Sequence, residues 1–180
     1  VVKKINKMVL GGILSGISVI LAVLIHFPII PAAGFLLYDP ADIPILIGGF
    51  MLGPAVGAAM AFVVSVLMAV FTGQGGPIGA LMHFLSTGTL VIVASYIYMQ
   101  NRTRRGAVLG MLAGSVGMVL MMVVGNLILT PIYMGVSREV VWGMLLPAII
   151  PFNMLKAGIN SVFTFLVYKK VSQFLRSIAD

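Results

Sequence analysis

Ile43–Phe71 reads IPILIGGFMLGPAVGAAMAFVVSVLMAVF, 29 residues without a single charge. A straight helix of that length is about 43 Å long at 1.5 Å per residue. The hydrocarbon core of a bilayer is about 30 Å thick, and each full crossing takes roughly 20 apolar residues. The stretch is too long for one crossing and too short for two of ordinary length. Pro44, Gly48, Gly49, Gly53 and Pro54 interrupt it, and the adjacent Gly53-Pro54 pair is its strongest breaker.

The rest of the chain shows that a membrane is the right frame. Of 180 residues, 61% are hydrophobic and 8% charged. A soluble domain carries about 25% charge to cover its surface, and a disordered chain needs low hydrophobicity and high charge, so both classes are excluded. Four further apolar stretches lie at about Met8–Ile25, Ile78–Met99, Gly106–Pro131 and Val141–Tyr168. The first is one of several, so it reads as a span and not as a cleaved leader.

Charge distribution then decides how often Ile43–Phe71 crosses. Nine of the 11 basic residues fall in three clusters: Lys3, Lys4 and Lys7; Arg102, Arg104 and Arg105; Lys169, Lys170 and Arg176. Positive clusters stay cytoplasmic, so an even number of spans separates each pair. The awkward stretch must therefore cross twice, turning inside at Gly53-Pro54. The expected architecture is an all-α membrane protein of six spans, at about 8–25, 43–53, 54–71, 78–99, 106–131 and 141–168, forming a single domain with both termini cytoplasmic. Asp39, Asp42 and Glu139 then fall outside, beside Arg138. The net charge of +7 is mostly topology, and nucleic acid is not an expected partner.

The outer loops carry the more elaborate sequences. The first contains Pro28, Pro31 and Pro40 with Phe35, Tyr38, Asp39 and Asp42, a set suited to a lid over an outward cavity; Tyr38 also suits an interfacial anchor. The second is Thr72-Gly-Gln-Gly-Gly-Pro77, with Gln74 at its centre as a ligand contact or a turn residue. Recognition is expected at the outer face.

Lys156 is the sharpest single residue. It lies 15 residues from Val141 and 13 from Lys169, too central for its stem to reach an interface easily. A Lys there costs about 2.5–3.5 kcal/mol on insertion scales, so it needs a partner, a polar ligand or a wet cavity. Asn153 and Asn160 share its helical face, and Pro147 and Pro151 precede it. Asn126 lies mid-span before Thr130-Pro131; its amide suits the polar edge of a planar heterocycle, or helix–helix contact. His83, Ser86 and Thr87 lie within about one turn and read as a polar helix face. Gly12-x-x-x-Gly16 in the first span is a small-residue pattern that admits a close partner helix; the small residues of the third and fifth spans fit internal packing equally well. There is no Cys, and no Lys follows a Gly, so thiolate chemistry and a Walker-type phosphate loop are absent. No metal site or catalytic residue is expected.

Taken together, Gly12-Ile-Leu-Ser-Gly16, Leu37-Tyr-Asp-Pro-Ala-Asp-Ile-Pro-Ile-Leu-Ile-Gly-Gly-Phe-Met-Leu-Gly-Pro54, Gly125-Asn126 and Pro151-Phe-Asn-Met-Leu-Lys156 resemble the substrate-binding S-components of energy-coupling-factor (ECF) vitamin transporters. The chain is most similar to the riboflavin-specific member, over nearly its full length. That resemblance implies a vitamin-binding subunit without enzymatic activity or ATPase of its own. It takes riboflavin as transported ligand, with no cofactor, from the outer side beneath the first outer loop. It docks on a membrane T-component that carries two ATPase subunits. It further implies that Asn126, Asn153 and Lys156 bind the isoalloxazine edge, and that Gly12 and Gly16, where the family usually has Ala, contact the T-component. Leu37, Tyr38 and Gln74 complete the expected site. Alternatives are an S-component for thiamine or pantothenate, or an independent channel or intramembrane enzyme.

Overall fold

A computed structural model describes residues 4–73 and 75–179, with the side chains of all but 4–6, 32, 169 and 171–179. Its helices are α1 (Lys4–Leu24), α2 (Asp42–Leu52), α3 (Pro54–Thr72), α4 (Gly76–Gln100), α5 (Arg104–Met134), α6 (Arg138–Met144) and α7 (Ile150–Ala179). A π-helical turn, Leu145–Ile149, links α6 to α7 and contains Pro147. Among the described residues, five helical segments are long and apolar enough to cross a membrane: Lys7–Leu24, α3, α4, α5 and Arg138–Tyr168. The loop after α1 adds a small element to the all-helical expectation. Strands β1 (Phe27–Pro28) and β2 (Leu37–Tyr38) pair antiparallel, with Phe27 opposite Tyr38.

The segment Ile43–Phe71 resolves into two helices joined at one residue. Gly53 adopts φ +105°, ψ 165°, a backbone that side chains rarely tolerate, and Pro54 opens α3, where its missing N–H costs nothing. Nine of the 11 residues of α2 are buried, and it packs against α1, α3, α4 and α7. Its 11 residues are fewer than the roughly 20 of a full crossing, and most of its surface meets protein.

Glycine sets the closest helix approach. A Cβ on Gly110 would lie 2.5 Å from the Ala94 carbonyl oxygen, and one on Gly114 2.6 Å from that of Leu90. These positions let the backbones of α4 and α5 nearly touch. Gly57 likewise faces Gly49 and Val91, so the small residues of α3 and α5 serve internal packing. The outward face of the bundle is apolar, with Val70, Ile132 and Leu146 all about 70–80% exposed. Such a surface belongs in lipid.

One end of the bundle is basic. Gly53 lies against Met99, Gly11 against Leu52 and Val56, and Tyr98 Oη is 2.9 Å from Tyr168 Oη. These contacts bring the N-terminal part of α1, the α2–α3 turn, the α4–α5 turn and the Lys170 region of α7 together.

Candidate binding site

The opposite end holds a cavity of about 370 Å³, within the range of small-molecule sites. Five segments build it: the loop before α2, the C-terminal half of α3, the N-terminal half of α4, the C-terminal part of α5 and the start of α7. Gly73 and Gly75, both with left-handed backbones, turn the chain from α3 into α4 at the rim. Met68, Met82, Met122 and Phe152 supply apolar wall, and Asn126, Asn153, Lys156, His83 and Asp39 supply polar groups.

Lys156 is buried, and its ammonium donates to Asp39 Oδ2 at 2.7 Å. The loop between α1 and α2 thus dips into the bundle to meet α7, 117 residues away. Asp39 Oδ1 accepts from the Ala41 backbone N–H at 3.1 Å and lies 3.8 Å from His83 Nε2. Burial alone would raise the Asp39 carboxyl, but Lys156 and His83 outweigh it and hold the group below the ordinary carboxylate range. It is therefore ionised at neutral pH.

Behind this pair stands a second carboxylate. Asp42 is fully buried and accepts from Thr87 Oγ1 at 2.6 Å and from Asn160 Nδ2 at 2.9 Å. Asn160 also donates to the Asp39 carbonyl at 3.1 Å and accepts from Tyr38 Oη at 2.9 Å. Burial and the neighbouring acids raise the Tyr38 phenol, so it keeps the proton it donates. One amide thereby joins the loop, α2 and α7. On the other flank, Ser65 Oγ donates to the Ala61 carbonyl at 2.6 Å and sits 2.9 Å from His83 Nδ1. Asp39, Asp42 and His83 each bring a ligand-type atom within 4.8 Å of the others. Both carboxylates already hold protein donors, which is the arrangement of a structural network.

Asn126, Asn153, Lys156 and Leu37 all line the cavity. Asn126 Nδ2 donates to the Met122 carbonyl at 2.7 Å, and its Oδ1 accepts from Thr130 at 2.8 Å. Each group is half used, leaving one N–H and one lone pair. Asn153 Nδ2 donates to the Ile149 carbonyl at 2.8 Å, a bond that orients its Oδ1. Tyr38 stands behind the wall, in the Asn160 network and tilted on Phe27 at 5.4 Å. Gln74 lies outside the described residues. Gly12 and Gly16 face outward from α1, where an added Cβ meets nothing within 4 Å.

In sequence, Asp39 and Asp42 read as loop acids and His83 as one residue of a polar helix face. The structure brings all three to Lys156. The missed signal was charge balance. A buried Lys calls for an acid, and apart from the terminal Asp180 the chain has only Asp39, Asp42 and Glu139.

The sequence model described as "ECF transporter, substrate-specific component" matches residues 6–168. The riboflavin transporter RibU of Staphylococcus aureus (strain TCH60) is 27% identical over 96% of this chain and 94% of its own length. RibU of Streptococcus thermophilus (strain ATCC BAA-250 / LMG 18311) is 31% identical over 94% of this chain and 84% of its own. The riboflavin transporter FmnP of Bacillus subtilis (strain 168) is 25% identical over 96% and 95%. The solved S component of a bacterial ECF transporter superposes with a TM-score of 0.78 at 27% identity, covering 96% of this chain and 99% of that one. A helical bundle with an apolar outer surface and a polar cavity at one end, matched along almost its whole length, places this chain in the family of substrate-specific components of ECF transporters.

Proposed function

We propose that this chain is the riboflavin-binding subunit of an ATP-driven vitamin uptake transporter. The observation that carries the reading is the convergence of Lys156 and Asn153 from α7 with Asn126 from α5 on one otherwise apolar cavity. Relatives named as riboflavin transporters support the choice of ligand.

Isoalloxazine is a flat apolar ring with carbonyls and an imide N–H along one edge. An ammonium has three N–H donors; one goes to Asp39, leaving others for a ring carbonyl. Asn153 Oδ1 is suited to accept from the imide, and the remaining Asn126 N–H to donate. Met68, Met82, Met122, Leu36 and Leu37 cover the ring faces, while Gln74 and the loop backbone take the ribityl hydroxyls. Asp39 holds the ammonium in place, and Tyr38 holds Asn160 behind it.

The shared basic end supports six crossings, with α2 as the short second one and both termini cytoplasmic. The cavity then opens outward. The exposed face of α1 at Gly12 and Gly16 docks on a T-component bearing two ATPases, which drive release inside. The chain itself catalyses nothing and binds no cofactor.

The test is the absorbance spectrum of the purified protein, followed by a flavin-fluorescence titration with thiamine and pantothenate as competitors. A yellow preparation that quenches riboflavin fluorescence stoichiometrically, unmoved by the competitors, is expected. A colourless protein that binds another vitamin in preference to riboflavin refutes the ligand assignment.

A further inference from the structure

A second concavity, sharing no lining residue with the first, lies between α5 and α7 on the outer face of the bundle. Its volume is about 570 Å³ and its wall is almost wholly apolar. Met111, Ser115 and Val119 of α5 face Gly158, Ser161 and Phe165 of α7 across it. At its floor Ser115 Oγ and Ser161 Oγ are 3.5 Å apart.

Gly158 is the informative residue. Gly inside a helix costs about 1 kcal/mol relative to Ala. Gly110 and Gly114 have a reason to be small, since a Cβ on either would strike α4. A Cβ on Gly158 meets nothing within 4 Å. Among the described residues its smallness serves no contact, and it deepens the groove instead.

Length and charge select the occupant. Along α5 the groove runs from Val108 to Leu120, about 18 Å at 1.5 Å per residue. One leaflet of a bilayer core is about 15 Å, so the groove matches one acyl chain and falls short of a spanning partner helix. Both walls end in cations at the same end. Arg104 precedes Val108 by one turn, Lys170 follows Leu166 by one turn, and Arg104, Arg105 and Lys170 are all exposed. The antiparallel register set by Ser115 and Ser161 brings Arg104 and Arg105 level with the Lys170 region.

We infer that this groove is a binding site for an anionic phospholipid, one acyl chain lying over Gly158 and the phosphate held by Arg104, Arg105 and Lys170. Basic residues between transmembrane helices at the cytoplasmic side recognise anionic headgroups in this way. The site is separate from the vitamin cavity, and its occupancy does not depend on which vitamin is bound.

Native mass spectrometry of the detergent-purified chain, supplied with phosphatidylglycerol or phosphatidylcholine, tests the assignment. Wild type is expected to retain one phosphatidylglycerol in preference to phosphatidylcholine. Gly158→Phe places a ring in the groove, from a Cβ position that meets nothing within 4 Å among the described residues, and is expected to abolish retention of both. Arg104→Gln with Arg105→Gln leaves the groove open and lowers the preference by about fivefold per arginine, roughly twenty-five-fold for the pair. The arginine variant lies on the surface, so it decides the matter even if Gly158→Phe fails to fold. Equal retention of the two lipids by wild type overturns the inference, as does unchanged preference in the arginine variant. A dimer that disappears in Gly158→Phe while lipid retention persists also overturns it, in favour of a second copy of the chain in the groove.

Discussion

Lys156→Met separates two roles that one residue holds at once. Lys156 is 5% exposed and Asp39 4%, joined at 2.7 Å. Removing one member of a buried pair strands the other charge and costs about 3–5 kcal/mol. Lys156→Met and Asp39→Asn are each expected to lose about that much stability. Neutralising both charges together removes the stranded ion, so the double variant returns to within about 1 kcal/mol of wild type. Affinity follows a different rule. A hydrogen bond from a charged donor is worth about 1.5–3 kcal/mol, so losing Lys156 weakens riboflavin binding by roughly 10- to 150-fold. Pairing Lys156→Met with Asp39→Asn does not restore that donor. The assays are thermal unfolding followed by circular dichroism and titration of riboflavin fluorescence, both in detergent. A double variant with wild-type affinity refutes Lys156 as a ligand contact and leaves it only a structural ion. Single variants as stable as wild type refute the buried pair itself.

Three further outcomes follow from the geometry. Asn160→Leu strands the Tyr38 hydroxyl, the Asp39 carbonyl and an Asp42 oxygen; at about 1–3 kcal/mol for each unsatisfied group, a sharp fall in melting temperature is expected, and an unchanged melt refutes the hub role. Gly114→Ala pushes a methyl against the Leu90 carbonyl and is expected to cost about 1–3 kcal/mol in the same melt. At Gly12 and Gly16 an added Cβ meets nothing within 4 Å among the described residues, so with Gly12→Leu and Gly16→Leu flavin titration of the isolated subunit is expected to stay unchanged while ATP-driven uptake of labelled riboflavin by the assembled transporter falls; normal uptake refutes α1 as the docking face.

Membrane residence, the broken helix at Gly53-Pro54 and the importance of Lys156 are legible in the sequence because each rests on composition or local chemistry. Apolar runs form helices wherever backbone groups must be satisfied without water. A Gly-Pro pair ends a helix whatever surrounds it, and a mid-span Lys is costly in any fold. Which acid pairs with that Lys is a different kind of question. Asp39 and Lys156 are separated by 117 positions, and no periodicity links a loop residue to a helix so far along the chain. Only the folding of the loop between α1 and α2 into the end of the bundle brings them together. The same holds for α2, whose 11 residues do not reveal in sequence that they are buried against four other helices. The glycines make the point most sharply. Gly12, Gly114 and Gly158 are the same residue in similar apolar runs, yet one faces outward from α1, one lets two backbones meet and one floors a groove. Sequence determined that these positions are small and lie on helices. Only the tertiary structure decided what each leaves room for, because that depends on which neighbour stands opposite.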